Sequence, residues 1–136
     1  MKNVIQYKAG EKSKPRFIKR ILTKDNSNWL ELFEGPSGSG KTWSAIRQCY
    51  DVDSDFDVRT QLVFSFPDFM KVINDPEFKK KKWRQVIFDE PQVSISNRAW
   101  MQLSNKLFNY LLTTFRHQNI AVIFCCPYRN AVNHFH

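Results

Sequence analysis

Eight consecutive residues constrain this chain more than any others. Gly35-Pro36-Ser37-Gly38-Ser39-Gly40-Lys41-Thr42 fits the pattern G-x-x-x-x-G-K-[ST]. The chain has four glycines, and three of them fall within these six positions, Gly35 to Gly40. A backbone that must approach a pyrophosphate closely has no room there for a Cβ. The amides of such a loop, continued by a helix N-terminus, point at phosphate oxygens. Lys41 is then expected to reach the β- and γ-phosphates of ATP, and the Thr42 hydroxyl to ligate Mg2+. Trp43, directly after the loop, is counted with the nucleotide-binding residues. Such a loop must follow a strand and open a helix, and this one does. Trp29-Leu-Glu-Leu-Phe-Glu34 alternates apolar and polar residues as a strand would, and Thr42 to Tyr50 suits a helix.

A second feature stands about 48 residues later. Val86-Ile-Phe-Asp89 is an apolar run ending in a carboxylate, and at the end of a strand that carboxylate can reach magnesium. Glu90 comes next, where a general base could polarise a water for attack on the γ-phosphate. Hydrolysis, not binding alone, is the expectation. A GTPase would require Asp-x-x-Gly here and Asn-Lys-x-Asp for guanine, but the chain reads Asp89-Glu-Pro-Gln92 and Asn105-Lys-Leu-Phe108. Both guanine features are missing. Asp89-Glu-Pro-Gln92 also matches a helicase box, yet a stand-alone helicase needs a second motor domain that 136 residues do not hold.

Further strands are expected over Gln61–Phe66, Gln85–Asp89 and Ile120–Cys125. Helices are expected from Asp68, as cap, to about Asn74 and from Ser96 or Asn97 to about Phe115. Apolar strands alternating with helices argue an α/β fold with a parallel sheet covered on both faces. Asp51-Val-Asp-Ser-Asp-Phe-Asp57 has the start of a calcium loop, but Phe56 replaces the required Gly and Leu62 the closing Glu. It reads as a solvated acidic loop.

Residues 1–24 hold eight of the 21 basic residues and one of the 13 acidic ones, so they carry +7 of a net charge of +8. Residues 1–28 are therefore expected to be a basic N-terminal arm, with a short strand or helix around Phe17–Leu22, and 29–136 the folded domain. The arm's natural partner is a polyanion, nucleic acid above all. A second run, Lys79 to Lys82 with Arg84, is read as a solvated loop. The longest apolar run, Ile120–Cys126, is too short to cross a bilayer, so no membrane partner is expected. The three cysteines show neither Cys-x-x-Cys nor a zinc spacing and are read as reduced, buried residues of a cytoplasmic protein.

With the phosphate loop, Val86–Glu90, and the stretch from Arg98-Ala-Trp100 through Asn105-Lys106 to Thr114-Phe-Arg-His-Gln-Asn119 before the last strand, the chain resembles P-loop ATPases of the additional-strand, catalytic-Glu division. Within it the chain is similar to small ATPases of archaeal viruses and plasmids, related to FtsK/HerA DNA pumps and Zot-like proteins. The resemblance covers about residues 29–136. It implies a three-layer, mostly parallel RecA-like sheet of order 5-1-4-3-2, with the fifth strand absent, atypical or supplied by the N-terminal segment. It also implies ATP hydrolysis coupled to DNA translocation, packaging or mobile-element maintenance, in a homo-oligomer with an arginine finger. Arg116 and Arg98 are the finger candidates. Pro91, after Glu90, departs from the small residue more typical there. A small-molecule kinase and a non-hydrolysing, ATP-gated adaptor share the phosphate loop. Phosphate release with and without DNA separates the three.

Overall fold

A strand apolar at every position is stable only where both faces and both edges are covered, and the last strand of this protein meets that condition. The computed structural model describes residues 14–35, 40–89, 97–113 and 118–126. In chain order these form α1 (Lys14–Thr23), β1 (Trp29–Glu34), α2 (Lys41–Val52), α3 (Val58–Gln61), β2 (Leu62–Val63), α4 (Phe66–Asn74), α5 (Pro76–Lys79), β3 (Arg84–Asp89), α6 (Asn97–Thr113) and β4 (Ile120–Cys126). The strands make one all-parallel sheet in the order β1-β4-β3-β2. β4 thus pairs on both edges, with Trp29 opposite Ala121 and Arg84 opposite Ile120. Its residues Ile120 to Cys125 are buried.

The two-residue period of the strands sorts their side chains between two helical layers. Val86, Phe88, Ile120, Val122 and Phe124 face one way, against Phe69, Ile73, Phe78, Leu107 and Leu111 of α4, α5 and α6. Ile87, Ile123 and Cys125 face the other way, against Ala45 and Cys49 of α2 and Phe56. Gln85 and Asp89 stand at the same alternate positions as Ile87, which sets Asp89 toward α2. Burial pushes the Cys49 thiol far above its usual range, reinforced by the nearby charge of Glu31. Cys49 is a packing residue.

Three expectations change in detail. The first concerns strand order, which is 1-4-3-2 rather than 5-1-4-3-2. Among the described residues no fifth strand lies beside β1, and the N-terminal segment does not supply one over residues 14–23, because that stretch is helical. The second concerns residues 1–28, where the short strand or helix expected around Phe17–Leu22 is the helix α1. Ile18, Ile21 and Leu22 recur at helical spacing and are buried with Trp29, Val52 and Ala121, while Arg16 and Arg20 lie exposed on the opposite side. α1 therefore packs against the sheet. Lys14 also donates to Glu31 of β1, which accepts further bonds from Trp29 Nε1 at 2.9 Å and Gln48 Nε2 at 2.8 Å.

The third correction shortens Gln61–Phe66 to the two residues of β2. Capping signals close in from both sides: Asp57 caps α3 by accepting the Arg59 amide, and Ser65 caps α4 by accepting the Asp68 amide, with Pro67 in the first turn. Ser65, not Asp68, is thus the cap of α4. Hydrogen bonds from the Arg59 side chain and amide hold the Asp57 carboxyl below the usual carboxylate range. Gln61 is turned inward, accepting the Asp57 amide and donating to the Gln85 carbonyl at 2.9 Å.

Because α1 shares the core, truncating its apolar face should cost as much as a change in the sheet. Leu22, 2% exposed, should lower unfolding free energy by about 2–5 kcal/mol when replaced by Ala. Urea unfolding of Leu22→Ala measures this. A loss below about 0.5 kcal/mol would return the segment to the status of a loose arm.

Candidate functional site

All four strands are parallel, so the ends of β1 and β3 open at the same edge of the sheet, where ligands bind in open α/β folds. β1 delivers Gly35 there and β3 delivers Asp89. α2 starts at the same edge with Lys41 and Thr42. Between them, Gly40 occupies the N-cap position of α2 with φ 87° and ψ 10°, in the left-handed region. Among the described residues, its chain neighbours aside, nothing lies within 4 Å of where a Cβ would stand on Gly40. The left-handed dihedral angle by itself favours glycine at this position.

Two hydrogen bonds define the site. The Thr42 hydroxyl donates to Asp89 Oδ2 at 2.8 Å, across 47 positions of sequence. The Lys41 ammonium donates to the Gly35 carbonyl at 2.8 Å, back across the loop it closes. Lys41 is buried and Thr42 and Asp89 are half-buried, so both bonds act where solvent competes weakly. A hydroxyl whose proton is committed to a carboxylate presents its oxygen lone pairs outward. Thr42 and Asp89 thereby offer two hard oxygen donors side by side.

That donor set fits Mg2+. Among the described residues there is no group of three or more His, Cys, Asp or Glu that could enclose a metal. A pair of oxygens suits an ion that keeps most of its waters and takes its remaining ligands from phosphate.

The remaining expected residues divide as follows. Trp43 follows Thr42 on α2 with 76% of its surface exposed, beside the loop but outside the core. Arg98 is exposed near the start of α6, and among the described residues no hydrogen bond or ion pair joins it to Lys41, Thr42 or Asp89. Pro36, Ser37, Gly38, Ser39, Glu90 and Arg116 lie outside the described residues. The acidic stretch Asp51–Asp57 ends α2, turns, and caps α3, in keeping with a solvated loop. Sequence reasoning missed the Gly35 carbonyl as the partner of Lys41, since residue type carries no signal for a backbone acceptor. No helix among the described residues is long and apolar enough to cross a membrane.

The Thr42–Asp89 bond should be measurable apart from any activity. A double-mutant cycle on unfolding free energy with Thr42→Val and Asp89→Asn should give a coupling of about 1–3 kcal/mol, the range for a hydrogen bond to a charged group. Additivity within about 0.3 kcal/mol would mean that the two side chains do not meet in solution.

Comparison of the chain with protein-family models, with curated proteins and with solved structures finds no match to any of them.

Proposed function

We propose that this protein is a Mg2+-dependent ATPase of the P-loop type, with a RecA-like arrangement of strands, that acts on nucleic acid. The observation that carries the reading is the bond between Thr42 and Asp89. Two residues named from separate motifs, 47 positions apart, meet at 2.8 Å at the sheet edge that also holds Lys41. A Gly/Ser turn and an unrelated strand end have no reason to converge in this way. The order 1-4-3-2 supports the narrower reading, because it sets one strand between the loop-bearing strand and the Asp-bearing strand, as an additional-strand ATPase requires.

In this reading the loop amides and the start of α2 bind the phosphate oxygens of ATP. Lys41 exchanges the Gly35 carbonyl for the β- and γ-phosphates. Thr42 and Asp89 hold the magnesium, which when bound supplies positive charge against the developing negative charge of the phosphoryl oxygens. Glu90, one residue beyond Asp89, takes a proton from the attacking water as general base. The exposed indole of Trp43 offers a face on which adenine can stack. Arg98 and Arg116 are assigned to a neighbouring copy's nucleotide in a homo-oligomer, and the exposure of Arg98 suits a role outside its own subunit. The cationic N-terminal residues supply contacts to nucleic acid.

Two substitutions test the assignment. Lys41→Ala should abolish ATP binding, since removal of the ammonium leaves phosphate charge uncompensated. Titration with a fluorescent ATP analogue reads this, and unchanged affinity would refute the phosphate loop. Glu90→Gln should retain Mg-ATP while slowing phosphate release by at least roughly a hundredfold. Turnover at the wild-type rate would remove Glu90 from the mechanism. Binding without phosphate release in the wild-type chain, with or without DNA, would favour an ATP-gated adaptor.

A further inference from the structure

At the opposite edge of the sheet, where the strands begin, the two basic clusters of the sequence come together. α1 presents Arg16 and Arg20 outward, and Lys24 follows its last turn, also exposed. The run Lys79 to Lys82 leads into β3 with Lys79, Lys80 and Lys82 exposed. The clusters meet at Trp83. Lys19 of α1 and Lys82 hold their ammonium groups 5.3 and 5.1 Å from the centroid of its ring, within the range of cation–π attraction. Other basic groups nearby are spent on the fold. Lys81 donates to the Asp55 carbonyl at 3.1 Å, and Arg84 donates to the carbonyls of Lys81 and Gln118.

Trp83 lines a cavity of about 560 Å³ together with Tyr50, Lys19, Lys82 and the acidic residues Asp51, Asp53 and Asp55. Its volume is within the range of pockets that take a small organic group. Tyr50 is 42% exposed. A cationic ridge, two aromatic rings and a concave space between them are the components by which single-stranded nucleic acid is held. Phosphates go to the ammonium and guanidinium groups, and a base goes to an aromatic face.

We propose that α1 and the Lys79–Lys82 segment form one binding surface for single-stranded nucleic acid, centred on Trp83. The inference rests on the reading that this protein acts on nucleic acid, and it gives that partner a location. A phosphodiester that draws Lys19 or Lys82 off the indole frees a ring face for a base. The three aspartates repel a second phosphate at the cavity, and they can accept N–H bonds from a base edge. The surface stands roughly 20 Å from the phosphate loop, the length of a six-residue strand. α2 and β3 both run between the two places. α2 carries Thr42 near one end and Tyr50 toward the other, and β3 carries Asp89 at its end and follows directly on Trp83.

The test is a salt titration of binding to a labelled oligothymidylate by the full chain in the absence of nucleotide. Two triple variants are compared, matched in charge: Arg16→Gln/Arg20→Gln/Lys82→Gln on the surface, and Arg47→Gln/Arg59→Gln/Lys71→Gln at exposed basic positions elsewhere. The surface variant should flatten the dependence of log affinity on log salt by about two units, near 0.7 for each lost phosphate contact, while the matched variant changes it by less than about half a unit. Equal flattening by both would show that only net charge matters and would overturn the surface. So would the absence of oligonucleotide binding, or a preference for anionic lipid vesicles over oligonucleotide. ATP affinity of the wild-type chain is measured in parallel. ATP binding without a surface effect removes this inference alone, and a surface effect without ATP binding removes the ATPase reading alone.

Discussion

The structure depends on where β4 lies. A seven-residue strand with no polar side chain cannot stand at the edge of a sheet without exposing apolar surface and unpaired backbone groups. It inserts between β1 and β3, pairing with both. That insertion fixes the separation of the phosphate loop from Asp89 at two strand spacings, about 10 Å. α2, rising from the loop after β1, must lean across β4 for Thr42 to touch Asp89. The buried contacts of Ala45 and Cys49 with Ile87, Ile123 and Cys125 hold it in that position. The packing of a helix over a strand that carries no proposed site residue thus determines the geometry of the candidate metal site.

β3 and β4 were legible as uninterrupted apolar runs, since a strand buried on both faces needs no alternation. α6 was legible as a helix starting near Ser96 or Asn97, and its described residues run from Asn97 to Thr113. β2 was misread because Gln61-Leu-Val-Phe-Ser-Phe66 has the composition of a strand, while the capping residues on either side decide its length. Asp57 and Ser65 start helices that overlap the run at each end. α1 was legible as a short element around Phe17–Leu22, but its packing partners were not. Its charge dominates any count over the segment, and three buried positions, Ile18, Ile21 and Leu22, outweigh that charge only when Trp29 and Val52 are present to receive them. Those partners are local in space and distant in sequence, so composition does not reveal them.

Within the candidate site, motif spacing identified Lys41, Thr42 and Asp89, and the alternation of β3 explains why Asp89 rather than Phe88 turns toward α2. The meeting of Lys19 with Lys82 over Trp83 had no such signal. It depends on α1 folding back along the sheet, and a helix read as a free arm has no defined neighbours. The basic run at 79–82 was for the same reason read as solvated loop, although α5 and the start of β3 give it a fixed place.

The Lys41 ammonium bound to the Gly35 carbonyl has a consequence for selectivity. A lysine whose charge is already satisfied by a backbone dipole is not an indiscriminate attractor of anions. An incoming group must offer it more than the carbonyl does, and must do so at a buried ammonium, where a single weakly held charge also loses its own hydration. Chloride or a lone carboxylate meets that condition poorly. A group that carries several adjacent negative charges meets it better. The internal bond therefore sets a threshold that an anion must exceed before it takes the ammonium from the carbonyl.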